Sequence, residues 1–346
     1  AGCPVERLSL PLLEKIGEGG FSTCPVSQAN LPNLLTVGAN GFAFCKYLKK
    51  FSAKKLQEVG MGCFSSCPLL SSIDCNLEPE NFICSVPYDE CEACPSCYND
   101  IGLCLQRGRS GQEENDAEID YDALDGKIMQ FGVGITVQLV LDAEEGQIVN
   151  QCLVLKEKRY LEGAFQNRKD FKFVVGLRIR YVSSNMFDGA VNLSAAIMPE
   201  AILVLRESFR RTALRHCFFP MLAQINTSAF YSALIGELNS GNFPALKCIG
   251  EYGFSKCPIT CVKLPKLTSI RVDAFSECKL MRRFSAPRLQ EVGEGCFSLC
   301  PVASISCSLN SSEFKCWGCK GCPVCLGQLS QSLTRGKKET LLEKME

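Results

Sequence analysis

Apolar residues recur along this chain with a long period, every 21 to 24 positions, and that period overrides any local helix or strand pattern. Residues 31–70, LPNLLTVGANGFAFCKYLKKFSAKKLQEVGMGCFSSCPLL, state one pattern twice. The first copy in the chain reads Leu10-Pro11, Leu13, Ile16-Gly17, Phe21, Cys24. The next two read Leu31-Pro32, Leu34, Val37-Gly38, Phe42, Cys45 and Ala53-Lys54, Leu56, Val59-Gly60, Phe64, Cys67. Apolar positions three apart, with Pro or Lys and Gly at fixed places, predict one coil per repeat. A short strand leads into a turn, a second short segment follows, and a tight bend brings Phe inward. Each coil leaves an apolar edge bare until the next one stacks on it.

The Phe ladder resumes at Phe165, Phe187, Phe209, Phe230, Phe254, Phe275 and Phe297, with spacings 22, 22, 21, 24, 21 and 22. A Pro ladder at Pro199, Pro220, Pro244, Pro265 and Pro287 carries the same irregular 24. The extra residues fall near Asn239–Asn242, where a loop is expected to bulge from one coil. FSAKKLQEVGMGCFSSCP (51–68) and FSAPRLQEVGEGCFSLCP (284–301) agree at 14 of 18 positions. Each is followed by Phe-x-Cys and then CxxCPxC, so the chain contains an internal duplication. The predicted fold is a β-rich solenoid of about ten coils in two blocks, each ended by a Cys-rich cap that covers the open apolar edge. The expected boundaries are repeats over 1–75, a cap over 76–105, an acidic linker or mobile loop over 106–127, repeats over 128–306, a cap over 307–327 and a charged tail over 328–346. Residues 128–150 read as a strand pair or a degenerate opening coil, and the tail as a frayed helix.

The pattern LPxLxxIGxxxFxxC resembles the BspA-like (Treponema pallidum type) class of leucine-rich repeats. The resemblance covers 1–75 and 243–307 well and about 150–242 weakly. It implies a leucine-rich-repeat solenoid with a role in adhesion or protein interaction, as in many bacterial and protist proteins.

Cysteine is the compositional outlier, at 24 of 346 residues against a single histidine. The ladder cysteines Cys24, Cys45, Cys67, Cys257, Cys278 and Cys300 each follow a ladder Phe by three and are expected to fill one buried slot per coil. Elsewhere that slot holds Arg168, Ala190, Thr212 and Ala233, so it tolerates substitution. The cap cysteines are too dense for packing alone. Cys84, Cys91, Cys94, Cys97 and Cys104 fall in one cap; Cys307, Cys316, Cys319, Cys322 and Cys325 fall in the other. Disulfides are the first reading. Structural zinc is the alternative, with Cys91, Cys94, Cys97 and Cys104 in one cap and Cys316, Cys319, Cys322 and Cys325 in the other as candidate ligands, because paired CxxC units can surround a tetrahedral ion. A redox CxxC fits less well, since no thioredoxin-like βαβ pattern surrounds it. Sequons at Asn192, Asn226 and Asn310 fit an oxidising secreted, surface or lumenal compartment, although such triplets also arise by chance.

Lys plus Arg and Asp plus Glu both total 37, so no single-sign field steers the chain toward nucleic acid. No apolar run is long enough for a transmembrane segment. AGCPVERL at the start lacks the basic and apolar regions of a signal peptide and is compatible with the mature end left by cleavage. No phosphate-binding loop, GxGxxG, GxSxG or HExxH motif occurs. Asp120, Asp122 and Asp125-Gly126 partly match a calcium loop, but the third Asp is one place late and Phe131 stands where the closing Glu belongs. His216 beside Cys217 reads as a rim histidine and not a catalytic base. Arg206, Arg210, Arg211 and Arg215 read as a solvated stripe, and Trp317 as a packing anchor. The function expected is therefore non-enzymatic: a protein-binding or scaffold chain, an accessory subunit of a larger assembly or an extracellular recognition module. The alternative is a thiol–disulfide or metal-handling protein acting through its caps.

Overall fold

The computed structural model describes residues 7–85, 94, 96, 101–110, 121–130 and 134–343. The chain divides into two compact units, Ala1–Asp116 and Ala117–Glu346. Each is a stack of short, mostly parallel strands, one coil of about 22 residues after another.

In the first unit Arg7–Ser9, Gln28–Asn30, Lys50–Ser52 and Ser72–Asp74 form a four-stranded parallel sheet. Lys15–Ile16, Thr36–Val37 and Glu58–Val59 form the second face. In the second unit the first face opens with Ile148–Val149 antiparallel to Cys152–Leu155. It continues in parallel through Phe173–Gly176, Ala195–Ile197 and His216–Phe218. It resumes as Glu237–Leu238, Cys261–Lys263, Arg283–Ala286 and Ser304–Cys307. The second face is one unbroken sheet of six strands from Tyr181–Val182 to Glu291–Val292. The weakly patterned coils are thus as regular as the rest.

The first face breaks where the spacing reaches 24. Residues 239–242 bulge, closed by Asn242 Oδ1 accepting the Asn239 N–H at 2.9 Å and Asn239 Oδ1 accepting the Gly241 N–H at 2.8 Å. The bulge lies where the two ladders place it.

The ladder phenylalanines form one aromatic column in each unit. Phe21, Phe42, Phe64 and Phe82 stack at 5.3, 6.0 and 5.9 Å between centroids. Phe165 to Phe314 stack likewise, with Phe209–Phe230 and Phe230–Phe254 at 5.2 and 5.1 Å and nearly parallel. The columns run into the caps, where Phe82 and Phe314 each supply a last rung.

The bend around each ladder Phe is not made by glycine. The residues two before and two after it are left-handed in all ten described coils, and only five of those twenty are Gly. Glu207 (φ 56°), Arg211 (φ 58°), Tyr252 (φ 53°) and Lys256 (φ 61°) are examples. Left-handed backbone costs an L-residue about 1–2 kcal/mol. Hydrogen bonds to the next coil oppose that cost. The N–H groups of Glu207, Phe209 and Arg211 donate to Thr227, Ala229 and Tyr231 carbonyls at 3.1, 2.7 and 2.9 Å. The same three-bond rung joins Gly19, Phe21 and Thr23 to Ala39, Gly41 and Ala43.

Both stacks end under a helix. Helix α1 (Ile101–Ser110) packs on strand Ser72–Asp74, burying Ile101, Cys104 and Leu105. The expected linker therefore does not begin at 106: residues 106–110 are the last part of this helix. Residues 111–120 lie outside the described residues. Helix α2 (Tyr121–Gln130) and helix α3 (Val137–Asp142) follow. They replace most of the strand pair expected over 128–150, which survives only at 148–155. Thr136 Oγ1 caps α3 by accepting the Leu139 N–H, and the Asp125 carboxylate accepts the Val137 N–H at 2.9 Å. Helices form here because the outward residues of the nearby strands are apolar. Cys152, Val154, Val175 and Ile197 are covered by Leu124, Ile128, Val137 and Val140. Outward residues of the first unit, such as Gln28, Asn30, Lys50 and Ser52, are polar and need no such cover.

Helix α4 (Leu329–Glu343) takes up most of the expected frayed tail. It packs on Ser304–Cys307, burying Leu329, Ser332 and Leu333 and accepting the Ser304 hydroxyl on Glu339 at 2.7 Å. Ile101, Cys104, Leu105 and Gly108 match Leu329, Ser332, Leu333 and Gly336 at a constant offset of 228 residues. At both glycines the helix backbone touches the strand below. A Cβ at Gly108 would lie 2.1 Å from the Ile73 carbonyl oxygen, and one at Gly336 2.2 Å from that of Ile305. Gly336→Ala is expected to push α4 off its strand at a cost of about 1–3 kcal/mol. Hydrogen exchange checks this: the amides of Ser304–Cys307 should lose protection while those of Ala195–Ile197 keep it.

Candidate functional site

Inward positions repeat from coil to coil, and the ladder cysteines are part of that repetition. The Cys45, Cys67, Cys257, Cys278 and Cys300 thiols donate to the carbonyls of Phe21, Phe42, Phe230, Phe254 and Phe275 at 3.0, 3.0, 3.0, 3.2 and 2.7 Å. Each therefore ties its coil to the one before. Burial pushes the Cys257 thiol up, which keeps it a donor. Thr212 fills the slot with its hydroxyl on the Phe209 carbonyl at 2.8 Å.

Outward positions do not repeat. Four residues after the ladder Phe, successive coils carry Val191, Ala213, Leu234, Pro258, Lys279 and Pro301. Val191 and Leu234 are exposed, and Ala213 and Pro258 half-buried, so four neighbouring coils present a narrow apolar stripe. Two residues before the Phe, the series is Asn185, Glu207, Ser228, Tyr252, Asp273 and Gly295.

Arg206, Arg211 and Arg215 are exposed as expected, but Arg210 and Arg211 also converge on one buried carboxylate. Arg210 Nε and Nη2 bond the Asp188 carboxylate at 3.0 and 2.9 Å. Arg211 bonds it at 3.0–3.3 Å, and Gln166 Nε2 at 3.1 Å. Asp188 is enclosed, so this cluster links three coils across their turns. Burial opposes ionisation of Asp188, but the donors from Arg210, Arg211 and Gln166 outweigh it and hold the carboxyl at about 2. Arg206 pairs with Glu207 at 3.4 Å. His216 is exposed on its strand and Cys217 points into the core, so the two face opposite ways. Trp317 is not the expected packing anchor. It is 66% exposed, with its indole edge over Gly295, because Phe314 already fills the end of the column. Asp122 and Asp125 lie in helix α2, which is no calcium loop, and Asp120 lies outside the described residues.

In the second cap the nominated cysteines come together. The Sγ atoms of Cys316, Cys319, Cys322 and Cys325 all lie within 4.8 Å of one another. The Ser298 hydroxyl is 3.2 Å from Cys316 Sγ, the Leu299 N–H donates to Cys319 Sγ at 3.3 Å, and the Cys325 N–H to Cys322 Sγ at 3.4 Å. Burial opposes ionisation of Cys319, yet the N–H groups of Gly321 and Leu299 and the neighbouring thiols bring its thiol down. Burial and those same neighbours push Cys322 up. No bond joins any two of the described cysteine sulfurs, and these four gather in one cluster.

In the first cap Cys91 and Cys97 lie outside the described residues. Cys94 is buried, as is Cys322, its match at the 228-residue offset. Cys104 lies in helix α1 and is buried. It is the counterpart of Ser332 in the capping helix, with its thiol on the Leu70 carbonyl at 3.5 Å. The counterpart of Cys316 is Cys84, whose Sγ is 3.1 Å from the Ser65 hydroxyl. The signal was present in both caps as Phe82-Ile83-Cys84 and Phe314-Lys315-Cys316.

The coil geometry and the repeat pattern define a leucine-rich-repeat solenoid. The chain belongs to the BspA type leucine rich repeat family, whose model of a six-copy repeat region matches at residues 1–88, 158–255 and 206–322. That family supports a role in protein interaction. No curated protein matches the chain. Among solved structures, it is similar to a leucine rich cell surface protein from Faecalibacterium prausnitzii A2-165, at 14% identity, 89% of both chains and a TM-score of 0.24. A leucine-rich repeat protein from Bacteroides ovatus ATCC 8483 is 13% identical over 84% of both chains, with a TM-score of 0.22. The pneumococcal vaccine antigen PcpA is 14% identical over 86% of this chain and 61% of its own, also at 0.22. Superpositions this loose say nothing of this chain's partners. No described helix is long and apolar enough to cross a membrane.

Proposed function

We propose that this chain is a non-enzymatic protein-binding platform, acting as a recognition module or an accessory subunit. One observation carries the reading: inward residues recur on every coil while outward residues change from coil to coil. A stack of this kind offers a wide, rigid and individual surface at the scale of a protein interface. The stripe of exposed Val191 and Leu234 with half-buried Ala213 and Pro258 suits an apolar face of a protein partner. The test is purification from the source without denaturant, followed by measured affinity for the protein that accompanies the chain. The Val191→Glu/Leu234→Glu double variant is expected to weaken that affinity at least tenfold without moving the thermal midpoint, since both side chains are exposed. Unchanged affinity moves the interface off this stripe, and no accompanying protein under any condition removes the platform reading itself.

A further inference from the structure

The cap cysteines stand apart from the repeat in chemistry and in use. Ladder cysteines bond single carbonyls in the core, whereas Cys316, Cys319, Cys322 and Cys325 turn four sulfurs on one another. We propose that these four residues bind one zinc ion as a tetrathiolate, clamping the cap loop to the last coil.

Three observations support the site. Zinc–sulfur bonds of about 2.3 Å place the sulfurs of a tetrahedron about 3.8 Å apart. The four Sγ atoms already lie within 4.8 Å of one another, so modest side-chain rotation closes the set. The spacing C-x2-C-x2-C-x2-C brings all four ligands from one short loop, and Gly318 (φ 93°) and Gly327 (φ 66°) allow its sharp turns. The sulfurs also have their own donors: the Leu299 N–H on Cys319, the Cys325 N–H on Cys322 and the Ser298 hydroxyl beside Cys316. Such outer contacts orient ligands and stabilise thiolate charge, which a disulfide does not carry.

The donor set favours a thiophilic ion such as zinc. Four thiolates and no carboxylate exclude calcium and magnesium as occupants, and a tetrahedral sulfur site suits zinc. On binding, the thiol protons pass to solvent. Ser298 and Leu299 lie in the turn of Phe297, so the ion joins the cap loop to the last full coil beneath it. Its role is structural, because four protein ligands leave no open position for substrate.

The experiment measures metal on the full-length chain, purified without chelator. Elemental analysis and native mass spectrometry of the parent are compared with the Cys316→Ser/Cys319→Ser double variant and with Cys278→Ala, a ladder control. The double variant is expected to hold one zinc fewer per chain than the parent, and Cys278→Ala the same number as the parent. If the double variant does not fold, cobalt substitution of the parent takes its place and should give the visible absorption of a tetrahedral thiolate site. An equal zinc content in parent and double variant overturns the proposal. So does a non-reduced parent whose Cys316, Cys319, Cys322 and Cys325 are joined in disulfides. Neither of these outcomes touches the platform reading, which rests on the coil surface.

Discussion

Replacing Phe230 with alanine is expected to destabilise the second unit by about 3–5 kcal/mol, the range for deleting a fully buried aromatic ring. Phe230 has no exposed surface. Its ring lies between Phe209 and Phe254 at 5.2 and 5.1 Å, both at 10°. Phe219 and Phe243 meet it edge-on at 6.4 and 6.3 Å. The gap cannot close by local collapse, because the hydrogen-bonded turns on either side hold the coil spacing. Neighbouring coils share each ring, so the damage should spread to both and little further. Urea unfolding followed by circular dichroism measures the total, and hydrogen exchange its extent. Phe44→Ala is the control: that ring is 43% exposed outside the first unit's column and should change stability by no more than about 0.5 kcal/mol. A loss under about 1 kcal/mol for Phe230→Ala contradicts a column that bears the fold.

Asp188→Ala is expected to cost about 3 kcal/mol, since it removes the shared acceptor of a buried charge cluster. Arg210 and Arg211 converge on this carboxylate from the next coil and Gln166 from the preceding one. The same cluster sets a pH dependence. The folded carboxyl is held at about 2, below the ordinary 3.8. Its contribution is therefore complete above the ordinary value and is lost as pH falls through about 2. The parent should lose roughly 2 kcal/mol from this group across that window. Asp188→Asn should be less stable at neutral pH and should lack that part of the acid slope. Parallel acid slopes for parent and Asp188→Asn, in urea unfolding at pH values from about 5 to about 2, would falsify the cluster's role.

The solenoid was legible because its core is written in register. Every coil must put an aromatic ring in the same column, so Phe recurs wherever the chain turns, and the shared 24 at one spacing marks the bulge at 239–242 in advance. The Cys slot was legible for the same reason: a small side chain fits one buried place per coil, and where it is Cys its thiol reaches the Phe carbonyl of the coil before. The covers were not legible. Helices α2 and α3 exist to hide the outward apolar residues Val154, Val175 and Ile197, and no local pattern says which side of a short strand faces out. Cys104 was nominated with the cap ligands because it is near them in sequence. Its helix sets it on the Leu70 carbonyl, in the position that Ser332 holds in the second cap.

From the amino acids alone came the period, the column, the duplication and the candidate cap cysteines, since each is a statement about residues at fixed separations. Three-dimensional packing decided the rest. It made left-handed bends from Glu207, Arg211, Tyr252 and Lys256 by pairing their coils' N–H groups with the next coil. It set Arg210 and Arg211 on Asp188 and gathered four cap sulfurs into one cluster. The physical reason is that repetition records what every coil must bury, whereas bends, ion pairs and thiol clusters depend on which neighbour a given coil meets.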